Sequence, residues 1–137
     1  MSIPVIVITH GCSGAALCDT VQMIIGEQQQ LFSLDFLPGE NVESILHKIN
    51  ALSLEKPGVM LVDFLGGSPF NAAALYCQRT ASGDVVSGVN IPMLLNVLME
   101  RDEVSDISQL ALLAKQSGCE GISCLSRDIT LAAEEEL

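Results

Sequence analysis

Ile3 to Thr9 is an unbroken run of apolar and β-branched residues that stops at His10-Gly11, the pattern of a strand buried on both faces, as in a parallel sheet. From Gly14 to Ile25 the apolar residues Ala15, Leu17, Val21, Ile24 and Ile25 recur near helical spacing, and Gly26 is a natural stop. Leu31 to Phe36 alternates and predicts a second strand. Pro38-Gly39 then turns the chain, and Asn41 can cap a helix carrying Val42, Ile45, Leu46, Ile49 and Leu52 that ends before Pro57-Gly58. Val59 to Val62 predicts the third strand. After it, Gly66-Gly67-Ser68-Pro69 announces a helix, with Ser68 as N-cap and Pro69 at the first helical position. A short fourth strand is expected at Asp84 to Val89, and a buried helix from Pro92 through Met99, with Met93 and Met99 in the core. Glu100-Arg101-Asp102-Glu103 should form its exposed end. Ser105 or Asp106 can cap one more helix, reaching Gln116 and stopped by Gly118, and Gly121 to Leu125 reads as a weak last strand.

Strands and helices alternating at this spacing imply an α/β fold: an open, doubly wound, mostly parallel sheet with right-handed crossovers. Strand order 2-1-3-4 is the simplest such arrangement. It opens a crevice beyond the carboxyl ends of the first and third strands, and His10 and Asp63 both fall there. The 137 residues fit one domain, followed by a short acidic tail at 132–137.

Six Lys and Arg against seventeen Asp and Glu leave a formal charge of −11. That field repels phosphate backbones and anionic lipid heads, which disfavours nucleic-acid and membrane-surface roles and suits a basic protein partner. The five cysteines, Cys12, Cys18, Cys77, Cys119 and Cys124, lie at no zinc-site spacing and read as reduced thiols. Every apolar run is far shorter than the roughly 20 residues that span a bilayer, so a cytoplasmic protein is expected.

His10 sits directly after a strand, where a neutral imidazole can act as nucleophile through one nitrogen while the other donates a hydrogen bond. Asp63 is the natural acceptor, fixing the tautomer and supporting the positive charge that develops on the ring. A structural turn histidine is the alternative. The Gly66-Gly67-Ser68 turn adds an anion site: glycines allow close backbone approach, and a helix start offers unpaired N–H groups. Oxygens of a phosphoryl group on His10 could be held there without Lys or Arg; an ordinary capped helix is the alternative. Gly11-x-x-Gly14 matches neither a dinucleotide site nor a P-loop. Nor does Gly66-Gly67-Ser68-Pro69 match a hydrolase nucleophile elbow. His47, beside Lys48, reads as a partly solvated helix residue, and a metal bound by His10, Cys12 and Asp63 would lack an evident fourth ligand.

Taken together, Thr9-His10-Gly11, Asp35-Phe36-Leu37-Pro38-Gly39-Glu40-Asn41, Val62-Asp63-Phe64-Leu65-Gly66-Gly67-Ser68-Pro69-Phe70-Asn71-Ala72-Ala73 and Gly88-Val89-Asn90-Ile91-Pro92-Met93-Leu94 resemble the mannose-family EIIA domain of the bacterial sugar phosphotransferase system. The likeness covers nearly the whole chain, making 1–131 a single EIIA phosphotransfer domain. It implies a phosphoryl carrier that needs no metal or nucleotide cofactor. The phosphorylated histidine protein HPr donates to His10, on Nε2, and His10 passes the group to a histidine of EIIB for sugar uptake, with an indirect link to the membrane components EIIC and EIID. It also implies that Asp63 orients the other ring nitrogen, that Ser68 and its turn contact the phosphate, and that a homodimer exchanges a C-terminal strand, for which Gly121 to Leu125 is suited. Two positions depart from the pattern: Phe64 stands where some members carry a hydroxyl-bearing residue, and Cys12 where a bulky side chain often follows His-Gly. The competing expectations are a carrier feeding a dihydroxyacetone kinase and a non-catalytic, anion-binding regulatory module.

Overall fold

In a computed structural model, which describes residues 2–129, the four apolar runs form strands β1 (Val5–His10), β2 (Leu31–Phe36), β3 (Val59–Val62) and β4 (Asp84–Ser87). All three pairings are parallel, and the order is β2-β1-β3-β4, as the element spacing predicts. Between and after the strands run α1 (Ser13–Ile25), α2 (Val42–Ala51), α3 (Ser68–Thr80), α4 (Ile91–Glu100), α5 (Ile107–Glu120) and the short α6 (Leu125–Asp128). The tail at 132–137 lies outside the described residues.

The central strands explain the continuous apolar runs. Val5, Val7, Val59 and Leu61 face α1, α4 and α5, while Ile6, Ile8, Met60 and Val62 face α2 and α3. Both faces of β1 and β3 are therefore dry, and their backbones can satisfy one another only through the ladder. The chain leaves β1 for one edge and returns to place β3 on its other side, so the carboxyl ends of β1 and β3 flank the switch point of the sheet.

Several local expectations change. Gly67, not Ser68, caps α3, because the first helical bond runs from Asn71 N–H to Gly67 O at 2.9 Å, which places Pro69 second in the helix. The same shift occurs in α4, which starts at Ile91 under an Asn90 cap with Pro92 second. Of the two candidate caps of α5, Asp106 serves, accepting from Gln109 N–H at 2.9 Å. Gly118 does not stop α5. It lies inside the helix, where Asn90 Nδ2 donates to its carbonyl at 3.0 Å and a Cβ would come within 2.8 Å of Met93 Cε; its lack of a side chain lets α4 dock. Met93 is buried as expected, but Met99 is exposed.

Arg101 is also misread by its charged neighbours: it is only 4% exposed. Its guanidinium donates to Ile3 O at 3.1 Å, Gln30 O at 3.0 Å and Gln29 O, tying the ends of the segments that enter β1 and β2 to the end of α4. Gly121 to Leu125 forms no strand in the single chain. Ile122 N–H turns back to Cys119 O at 3.2 Å, and Leu125 already begins α6.

Candidate functional site

Asp63 joins the ends of the two central strands. Its Oδ2 accepts from the backbone N–H of His10 at 2.9 Å and lies 2.8 Å from His10 Nδ1. Its Oδ1 accepts from Phe64 N–H at 3.1 Å. Burial raises the Asp63 carboxyl, but the backbone and ring hydrogen bonds of His10, with the electrostatic attraction of that side chain, outweigh it and hold the pKa below the ordinary 3.8. An ionised carboxylate can only accept, so Nδ1 carries a proton and the lone pair of a neutral ring resides on Nε2. The His10 side chain is 41% exposed, enough for a partner to reach it. Phe64 stacks on the imidazole with ring centroids 5.0 Å apart, and Phe36 meets it edge-on at 5.4 Å.

The Gly66-Gly67 turn closes against the same ring. Gly66 needs its φ of +82°, in the region glycine tolerates, whereas Gly67 needs space: a Cβ there would lie 3.0 Å from His10 Cε1 and 3.1 Å from Phe64 Cζ. The N-terminus of α3 is thereby brought against the Cε1 edge of the ring. Asn71 Nδ2 fastens the turn by donating to Gly66 O at 3.3 Å. N–H groups in a first helical turn have no acceptor within the helix, and Pro69 has none to offer, so Ser68 and Phe70 present the donors. The Ser68 hydroxyl has no hydrogen-bond partner among the described residues, so it is open to a ligand. The structure thus brings together His10, Asp63, Gly66, Gly67 and Ser68.

The chain matches the family model of PTS system fructose IIA components over residues 4–113. It belongs to the mannose family of EIIA components of the sugar phosphotransferase system. It is 41% identical over 129 residues to the PTS system mannose-specific EIIAB component of Escherichia coli (strain K12), covering 91% of this chain and 40% of that protein. To the PTS system sorbose-specific EIIA component of Lacticaseibacillus casei it is 31% identical over 137 residues, covering 96% of this chain and 97% of that protein. Among solved structures, the phosphotransferase system component EIIA from Streptococcus agalactiae superimposes with a TM-score of 0.83 at 27% identity, over 90% of this chain and 98% of that one. The chain therefore spans about 40% of the length of the Escherichia coli relative. EIIA components of this system are phosphotransferases.

Other parts of this EIIA domain support the site rather than enter it. Thr9 is buried, and its hydroxyl accepts Gly14 N–H at 2.7 Å, where a Cβ on Gly14 would press within 3.0 Å of that hydroxyl. The spacing of Gly11 and Gly14 thus serves the start of α1. Gly88 N–H donates to Asp63 O at 3.1 Å, so the loop after β4 holds the Asp63 backbone. Lys48 Nζ reaches both Asp35 O and Glu40 Oε1 at 2.8 Å and shapes the loop between β2 and α2. His47 is exposed, as expected for a solvated helix position. Among the described residues no cluster of three or more His, Cys, Asp or Glu could hold a metal, and no helix is long and apolar enough to cross a membrane. Phe36 and Phe64 are the ring contacts that motif reasoning missed. The register pairing of His10 with Phe36 at the ends of β1 and β2 was the available signal for the first.

Proposed function

We propose that this domain is the phosphoryl carrier of a cytoplasmic sugar-uptake system: His10 accepts a phosphoryl group on Nε2 from phosphorylated HPr and passes it to a histidine of EIIB. Sugar passage through the membrane components EIIC and EIID follows downstream. The reading rests on one observation, the 2.8 Å contact of His10 Nδ1 with Asp63 Oδ2, which commits one ring nitrogen and leaves the other as nucleophile.

In the transfer, the N–P bond of the donor breaks and its electron pair returns to the donor nitrogen, while the Nε2 lone pair forms the new N–P bond. No proton leaves His10. Nδ1 keeps its proton, and the carboxylate opposite stabilises the positive ring. The transition state is loose and metaphosphate-like, so the protein contributes placement and charge complementarity more than covalent chemistry. Oxygens of the transferred group would be received by the N–H groups of Ser68 and Phe70 and by the Ser68 hydroxyl, close to the positive end of α3. Delivery to EIIB is the same exchange with His10 as the leaving nitrogen. Both ends are phosphoramidates, which keeps the relay reversible.

The domain acts as a homodimer in this reading. Among the described residues the outer edge of β4 has no strand beside it, and next to it runs an apolar groove of about 660 Å³ lined by Leu65, Phe70, Val86 and Leu112. Exposed Ile122, Leu125 and Ile129 would cover that groove on a second copy when the C-terminal segment is exchanged.

Incubation with phosphoenolpyruvate, enzyme I and HPr tests the carrier reading by intact mass. One added phosphoryl group, acid-labile and base-stable, is expected for the native chain and none for His10→Ala. No added mass while HPr is demonstrably phosphorylated would contradict it.

A further inference from the structure

Phe64 is 54% exposed, yet its ring lies on the His10 imidazole with the two planes only 16° apart. Burial does not account for that placement, because a ring left half in water forgoes much of the hydrophobic gain it could have had. Its backbone takes part as well. Phe64 N–H donates to Asp63 Oδ1 at 3.1 Å, while Oδ2 of the same carboxylate holds His10. His10, Asp63 and Phe64 therefore close a triangle of contacts around the imidazole. Gly67 completes the enclosure, since only a residue without a side chain fits between His10 Cε1 and the Phe64 ring.

A hydrogen bond at Nδ1 fixes one point of the ring but allows it to tilt about the line to Asp63, which swings Nε2 sideways. Phe36 meets the ring edge-on, with the planes at 90°, and Phe64 covers a face. Together they suppress the tilt. The π-face of Phe64 also lies where it can attract the positive charge that a phosphorylated imidazole carries.

We propose that Phe64 is a positioning residue for phosphoryl transfer, holding the plane of the His10 imidazole so that Nε2 stays aimed along the line to the partner's phosphorus. The proposal rests on His10 being the phosphoacceptor. Transfer in line tolerates little misalignment, so loss of the aromatic face should slow the chemical step and leave docking unchanged.

The test is rapid-quench transfer from phosphorylated HPr at varied donor concentration, for the native chain, Phe64→Leu and Phe64→Tyr, with His10→Ala as control. Phe64→Leu should lower the maximal rate about tenfold with the half-saturating donor concentration unchanged, and Phe64→Tyr should recover most of the rate. An unchanged maximal rate in Phe64→Leu would overturn the proposal. So would an effect confined to the half-saturating concentration, which marks a docking contact, or a loss that tyrosine fails to recover. If the native chain itself takes up no phosphoryl group, the carrier reading fails instead. NMR relaxation at His10 Cε1, which requires no transfer, keeps the two separable: a ring as rigid in Phe64→Leu as in the native chain would overturn the positioning role alone.

Discussion

The carboxylate oxygen Oδ2 of Asp63 sits 2.9 Å from the backbone nitrogen of His10 and 2.8 Å from its Nδ1, so one oxygen atom joins the ends of β1 and β3 and sets the tautomer of the ring. A rotation of His10 that freed Nδ1 would give up a charge-assisted hydrogen bond. The site is thus built before any partner arrives.

Asp63→Ala should slow phosphoryl transfer to His10 about a hundredfold, since a ring without its acceptor loses both the required tautomer and support for its positive charge. Asp63→Asn keeps the shape but presents an uncharged amide and should be slow as well. Rapid-quench kinetics with phosphorylated HPr check both. A native rate in Asp63→Ala would reduce the residue to a strand tie.

The same carboxylate makes stability depend on pH. Its folded pKa lies below the ordinary 3.8, so the unfolded chain binds the proton more tightly. The contribution is complete above 3.8 and disappears as pH falls through the lower folded value. Denaturant titrations of the native chain and Asp63→Asn from about pH 6 down to about pH 2 should show their stabilities converging in acid. A gap independent of pH would contradict the linkage.

Ser68→Ala separates chemistry from folding. Because Gly67 holds the cap position and the Ser68 hydroxyl has no hydrogen-bond partner among the described residues, the substitution should leave the melting temperature within about a degree, well inside the shift that 1 kcal/mol produces. Transfer should slow several-fold through the lost phosphate contact. A clear drop in melting temperature would show that the hydroxyl has a structural partner after all.

Arg101→Met should destabilise the fold by about 1–3 kcal/mol, because the carbonyls of Ile3, Gln29 and Gln30 lose the guanidinium that ties them together. The site lies at the opposite ends of the strands. Transfer per folded molecule should therefore be unchanged, and a rate loss exceeding the loss of folded protein would count against a purely structural role.

The sheet, its order and the pair His10 and Asp63 were legible because continuous apolar runs, strand–helix alternation and chemistry at strand ends are local signals. Details that depended on tertiary contact were not. Gly118 resembles a helix stop until Met93 and Asn90 are seen against it. Arg101 resembles part of a solvated cluster until the entries to β1 and β2 are seen closing over it. Ser68 looked like a cap because proline is common at the first helical position, whereas both proline-started helices place it second. The Phe64 stack depends on where the turn after β3 places a ring, and residue order does not specify that.

Which nitrogen of His10 becomes phosphorylated can be read by nitrogen–phosphorus correlation NMR of the phosphorylated, ¹⁵N-histidine-labelled domain. A single phosphohistidine is expected, bonded through Nε2, with Nδ1 still carrying its proton toward Asp63. Phosphorus bonded to Nδ1, or to His47, would contradict it.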